Sequence, residues 1–353
     1  MRQATGRAPG RINLIGEHTD YNEGLVLPIA LSLGVVVNAR SREDRTAHLA
    51  TDADVAPREA TYTIGQERRD GTWVDRARGV TATLAREGAE IRGFDAEVTS
   101  TLPLGAGLGS SAAFAVALIR ALRDLFQLAL DDAEIVRIAH AAENEFAGAR
   151  SGLLDQLASI YGRRSEALLI DLRDLRTEPI AFPPNLELAV IDSGARHEHA
   201  TGGYNRRREE CEEACLHLGV RSLRDLEDRP REQVLERLPP PLDRRVRHVL
   251  TENERVRETV GVLRSSDASE LGRLLCASHR SLRDDYEVST AELDRLVDLA
   301  CDAGGALGAR LVGGGFGGSI LALTMRGVAS ELATRVLDRY PGGRLVAVVP
   351  WSR

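Results

Sequence analysis

A chain of 353 residues, 43% of them hydrophobic, is long enough to bury about two cores. Its formal net charge of -7 argues against a nucleic-acid surface, which needs clustered positive charge. No apolar run approaches the roughly 20 residues that cross a bilayer, so neither nucleic acid nor membrane is an expected partner.

The 46 basic residues are all arginine. That rules out a Walker phosphate loop, the strand lysine of protein kinases and Schiff-base chemistry, each of which needs an amine. The N-terminus lacks the apolar core of a signal peptide, and a cytoplasmic protein is expected. Cys211, Cys215, Cys276 and Cys301 have no metal-ligand spacing and are expected to be reduced thiols.

In chain order, a polar cassette comes first. Arg11, Glu17, His18 and Asp20 lie between apolar runs and are punctuated by Gly10 and Gly16. Such a cluster could ligate a metal, grip a polyhydroxylated molecule or form a solvated turn. Its bends and β-branched flanks favour side chains held against a sheet. Strands are predicted at 33–40 and 93–100, with a helix at 73–87 between them.

Residues 102–126 read as strand end, glycine loop and alanine-rich helix. Gly105, Gly107 and Gly109 let backbone N–H groups converge while the helix turns its positive end to the same point, an anion cradle without lysine. Ser110 and Ser111 can offer hydroxyls to phosphate or magnesium, although an ordinary helix entry has the same look. Asp131 and Asp132 cap a helix predicted to run to about Phe146, with Glu143 in its last turns. Asp155 follows a turn at Gly152 and opens a short helix. Taken singly, either acid could be a surface carboxylate.

Strands at 167–172 and 187–192 flank Pro183 and Pro184, where the domain boundary is placed, giving domains 1–182 and 183–353. Helices follow at 206–218, 244–263 and 291–300, with a charged connection at 229–241. The chain closes with strand, glycine turn, strand, helix and strand over 309–349. Residues 313–318 satisfy G-x-G-x-x-G formally, but they join two strands and leave no room for a βαβ unit, so a dinucleotide fold is rejected.

The cassette resembles the galactokinase motif without interruption over residues 10–22. The glycine loop is similar to the phosphate loop of the wider GHMP kinase superfamily, which takes in galactokinases and homoserine, mevalonate and phosphomevalonate kinases. The 142–159 stretch and the blocks beginning at Thr201 and His279 also look like galactokinase, and the late glycine turn looks like the third motif of the superfamily, a hairpin packed beside the phosphate loop. The chain departs from that pattern in carrying Gly109 where a serine is usual, Asp75-Arg76 where Asn-Tyr is common, and Ser319 for a cysteine.

The resemblance implies an α+β, two-domain GHMP kinase fold, with an N-terminal mixed-sheet domain, a C-terminal ferredoxin-like domain and the active site between them. It implies an ATP- and Mg2+-dependent kinase acting on the C1 hydroxyl of galactose. Asp155 and Arg11 would be catalytic, and Glu17, His18, Asp20, Gly152, Asp155 and Tyr204 would hold the sugar. Gly105, Gly107, Leu108, Gly109, Ser110, Ser111, Ala112 and Trp73 would bind ATP, while Ser110, Ser111 and Glu143 would hold the metal. A monomer is the expectation from the family. Two rivals are a related kinase for arabinose, galacturonate or N-acetylgalactosamine, and a non-catalytic sugar and ATP sensor that regulates transcription.

Overall fold

A computed structural model describes residues 2–103, 105–148, 150–196 and 200–349. Leu104 of the glycine loop and Ala149 of the 142–159 stretch lie outside the described residues. Along the chain come β1 (Gln3–Asn13), β2 (Leu25–Val26), β3 (Pro28–Ser41), β4 (Thr46–Thr51), β5 (Glu59–Thr63), α1 (Asp75–Arg86) and β6 (Phe94–Ser100). Then follow α2 (Ser110–Phe126), α3 (Asp132–Ala141), α4 (Leu154–Tyr161), β7 (Glu166–Asp171), β8 (Arg176–Ala181) and β9 (Leu186–Arg196). The C-terminal half holds α5 (Ala200–Leu218), α6 (Arg231–Leu235), α7 (Leu242–Ser265), α8 (Ala268–Asp284), α9 (Ala291–Asp302), β10 (Ala306–Val312), β11 (Gly317–Met325), α10 (Ala329–Arg339) and β12 (Arg344–Val349).

Contacts group the chain into two units, residues 1–11, 30–104 and 108–161, and residues 12–29, 105–107 and 162–353. In the first, β3 pairs with β1 and, antiparallel, with β6, while β6 runs parallel to β4 and β4 antiparallel to β5. The sheet is therefore mixed, as expected. Its β4 and β5 were not foreseen, because β5 alternates between exposed and half-buried residues and carries almost no apolar signal. Gly6 of β1 lies so near α2 that a Cβ there would stand 1.9 Å from the Ala117 carbonyl oxygen. Any side chain would push the helix off the strand.

The helix expected to reach Phe146 ends as α3 at Ala141 and passes into a π-helical turn, Ala142–Ala147, that carries Glu143. Its start is as predicted. Asp131 is the N-cap, with a reciprocal capping box to Glu134.

In the second unit β7 pairs with β2 and β8, and a separate antiparallel sheet has the order β10-β11-β9-β12. That order, with α10 between β11 and β12, is ferredoxin-like. Ile191, Leu296, Leu311, Ile320 and Leu332 pack in its core. The expected connection at 229–241 contains the short α6. Helix α8 was not anticipated, since Gly272, Ser278, His279 and Ser281 interrupt its buried face. Gly272 lets it lie on β10, where a Cβ would come 2.0 Å from the Leu307 carbonyl oxygen. No described helix is long and apolar enough to cross a membrane.

Candidate active site

Within the first unit, β1 delivers Arg11 to the loop ahead of α2. The Arg11 amide donates to the Leu108 carbonyl at 3.0 Å. Its guanidinium Nε donates to Asp155 Oδ1 at 2.7 Å from the first turn of α4, after Gly152. Gly109, in the left-handed region at φ 72°, is the N-cap of α2 and lies against this pair. A Cβ on it would stand 3.3 Å from Arg11 Cγ and 3.4 Å from Asp155 Oδ2. Ser110 and Ser111 open α2 and Ala112 is buried behind them. The helix N-terminus leaves backbone donors and partial positive charge for an anion.

Glu143 Oε2 accepts from Gln156 Nε2 at 2.7 Å and from Ser151 Oγ at 3.3 Å. Burial and the nearby Asp155 charge raise its pKa, and Arg76 works against them. A buried carboxylate beside a second one is a setting that favours a cation. Glu143 and the two serine hydroxyls are hard oxygen donors of the kind Mg2+ takes alongside nucleotide phosphates. Trp73, just before α1, donates from Nε1 to the Pro57 carbonyl at 2.8 Å and packs edge-on against Phe114 at 5.4 Å.

The second unit gathers Glu17, His18 and Tyr204. Glu17 Oε1 accepts the Gly313 amide at 2.8 Å and stands 3.2 Å from Arg310 Nη2, while Oε2 accepts from Asn13 at 3.0 Å. His18 is held at φ 63°, strained for a residue with a Cβ. Its Nε2 lies 3.1 Å from the Gly314 carbonyl oxygen, which can only accept, so Nε2 carries the proton. Nδ1 therefore accepts from Tyr21 Oη at 2.8 Å. Tyr21 in turn accepts from Tyr286 at 2.8 Å, and Tyr286 faces the Cys211 thiol at 3.1 Å.

Burial drives the His18 pKa down to about 3 and that of His248 to about 4, so both are neutral rings. The Tyr204 ring lies 5.2 Å from that of His18. Asp20 begins the 3-10 turn Asp20–Asn22 that follows His18. Gly105 and Gly107 also belong to this unit, at φ 67° and 75°. Beside them Ser319 Oγ donates to the Ala106 carbonyl at 2.9 Å, and a Cβ on Gly313 would meet the Gly107 carbonyl oxygen at 3.3 Å. The late glycine turn thus packs on the glycine loop.

Three family models match: the GHMP kinases N terminal domain over residues 75–163, the galactokinase galactose-binding signature over 2–41 and GHMP kinases C terminal over 259–342. The chain is 41% identical to a galactokinase of Chloroflexus aggregans over 341 residues, covering 95% of this chain and 87% of that one. The chain belongs to the galactokinase family. A Streptomyces coelicolor galactokinase is likewise 41% identical, over 96% of this chain and 89% of its own. A crystal structure of Lactococcus lactis galactokinase complexed with galactose superposes with a TM-score of 0.93 at 30% identity, covering 99% of this chain and 93% of that one. The galactokinase relatives therefore extend over both units.

Several residues behind the galactokinase motif escaped the sequence. Glu252 of α7 accepts the Gly16 amide at 3.0 Å, Ser278 at 2.7 Å and Arg255 at 2.7 Å. His248 Nε2 donates to the Glu17 carbonyl at 3.1 Å. Arg310 Nη1 donates to the Leu14 carbonyl at 2.9 Å. Only Arg310 left a trace, as a lone charge inside the apolar run of β10. Glu252 and His248 sit among the charged residues of α7 and have no distinguishing pattern.

Proposed function

We propose that this chain transfers the γ-phosphoryl group of ATP to the C1 hydroxyl of D-galactose, giving α-D-galactose 1-phosphate, the first phosphorylation of galactose catabolism. The Arg11–Asp155 pair pressed against the glycine loop carries this reading, in a chain that matches the galactose-binding signature. Phosphoryl transfer asks for positioning and charge neutralisation more than for covalent chemistry. Asp155 accepts or orients the proton of the C1 hydroxyl. Arg11 holds Asp155 in place and supports the charge that develops on the transferred group.

Glu17, Asp20, Gly152 and Tyr204 hold the sugar. His18, whose ring nitrogens are both engaged by protein, serves through its backbone and its ring face. Gly105, Gly107, Leu108, Gly109, Ser110, Ser111 and Ala112 hold the ATP phosphates, with Trp73 on the base. Glu143, Ser110 and Ser111 hold Mg2+, which when bound neutralises phosphate charge. The protein is a cytoplasmic monomer whose domains divide at 182/183. Incubation with ATP, Mg2+ and galactose, followed by phosphorus NMR, tests the reading. Phosphate on C1 supports it, and phosphate on any other position overturns it.

A further inference from the structure

Trp73 stands in the turn just before α1, and Arg76 and Gly79, three residues apart near its start, share one face of the helix. At one end the Trp73 ring packs on Phe114. At the other, Gly79 lets the helix rest on the π-helical turn, where a Cβ would stand 2.8 Å from the Ala142 carbonyl oxygen and 2.9 Å from Phe146 Cβ. Glu143 is the next residue along that turn. Arg76 therefore sits between the indole assigned to the nucleotide base and the carboxylate assigned to the metal, and its charge reaches Glu143.

The arginine two positions on is fully paired. Arg78 meets Asp70 and Asp75, each at 2.7 Å. Among the described residues no carboxylate stands at ion-pair distance from Arg76. Its Nε is buried and bonded to nothing among the described residues, although buried donors are almost always satisfied. A planar guanidinium is suited to the paired oxygens of a phosphate, and no lysine exists to do this work.

We propose that Arg76 is a nucleotide-contacting residue that donates to phosphate oxygens at the β,γ end of ATP. The proposal rests on the kinase reading above. It is tested by measuring binding of MgATP, MgADP and AMP to the parent protein, Arg76→Gln and Arg76→Lys, by calorimetry or by competition with a fluorescent nucleotide. Galactose affinity serves as the control for folding.

Arg76→Gln is expected to weaken MgATP and MgADP about 10- to 100-fold, the range for a lost charged hydrogen bond. AMP and galactose should be little affected, and Arg76→Lys should recover part of the loss. An equal loss for AMP would place Arg76 on the base and overturn the proposal. Unchanged affinity for all three nucleotides would leave Arg76 only balancing Glu143 and would overturn it too. A parent protein that binds no MgATP would instead sink the kinase reading itself.

Discussion

In the proposed reaction Asp155 and Arg11 divide the chemistry at the reacting hydroxyl, and conservative substitutions test their parts. Asp155→Asn keeps the size and loses the charge. It is expected to bind galactose and ATP while kcat falls by roughly 10² to 10⁴, the range for a lost general base. Near-parental kcat in steady-state assays would show that the proton leaves by another route. The buried histidines make a second residue-scale prediction. With His18 at about 3 and His248 at about 4, both largely from burial, the unfolded chain binds protons near pH 6.5 that the folded chain refuses. Stability is therefore full above about pH 6.5 and lost as pH falls toward 4, by up to about 1.4 kcal/mol per pH unit for each ring. His248→Gln should show a shallower fall in urea midpoint between pH 7.5 and 5 than the parent. An unchanged slope would contradict this. Arg11, Glu17 and Asp155 could be proposed from sequence only because the motifs they stand in resemble those of galactokinases, whereas Glu252 stands in no such motif and is one acid among several on α7.

At the scale of elements, the site depends on turns that only certain backbones allow. Gly109 joins the glycine loop to α2 at φ 72°, facing the Arg11–Asp155 pair. Gly109→Ala is expected to cost about 1–2 kcal/mol for the left-handed backbone. It should also lower kcat by an order of magnitude or more, because the new methyl displaces Arg11. A thermal melt beside kinetics checks both, and unaltered kcat would show that the loop does not set the pair. Helices α1, α2 and α4 and strands β3, β10 and β11 were legible from periodicity and glycine punctuation, whereas β1 and β2, on either side of the cassette, were not. The π-helical turn was not, since apolar spacing around Glu143 fits an α-helix equally well and the extra residue in the turn leaves no mark in composition. Edge strand β5 and helix α8 were missed for a related reason. The first has little to bury, and the second buries glycine, serine and histidine where a pattern looks for leucine.

Across the whole molecule, burial turns scattered polar residues into a support for the cassette. Arg310 is completely buried and stands beside Glu17, so Arg310→Met would leave a buried carboxylate without its countercharge. A loss of about 3–5 kcal/mol is expected from denaturant unfolding, and a neutral result would show that Glu17 is balanced elsewhere. The overall architecture could be read in advance because motifs recur from the N-terminal cassette to the late glycine turn. The packing of that turn on the glycine loop needed coordinates. The account's central claim is galactose specificity in a sugar 1-kinase, and the most direct measurement is kcat/KM with ATP over galactose, glucose, arabinose, galacturonate and N-acetylgalactosamine. Galactose, or its 2-deoxy form, is expected to give the highest value, and a higher value for any other sugar would contradict the account.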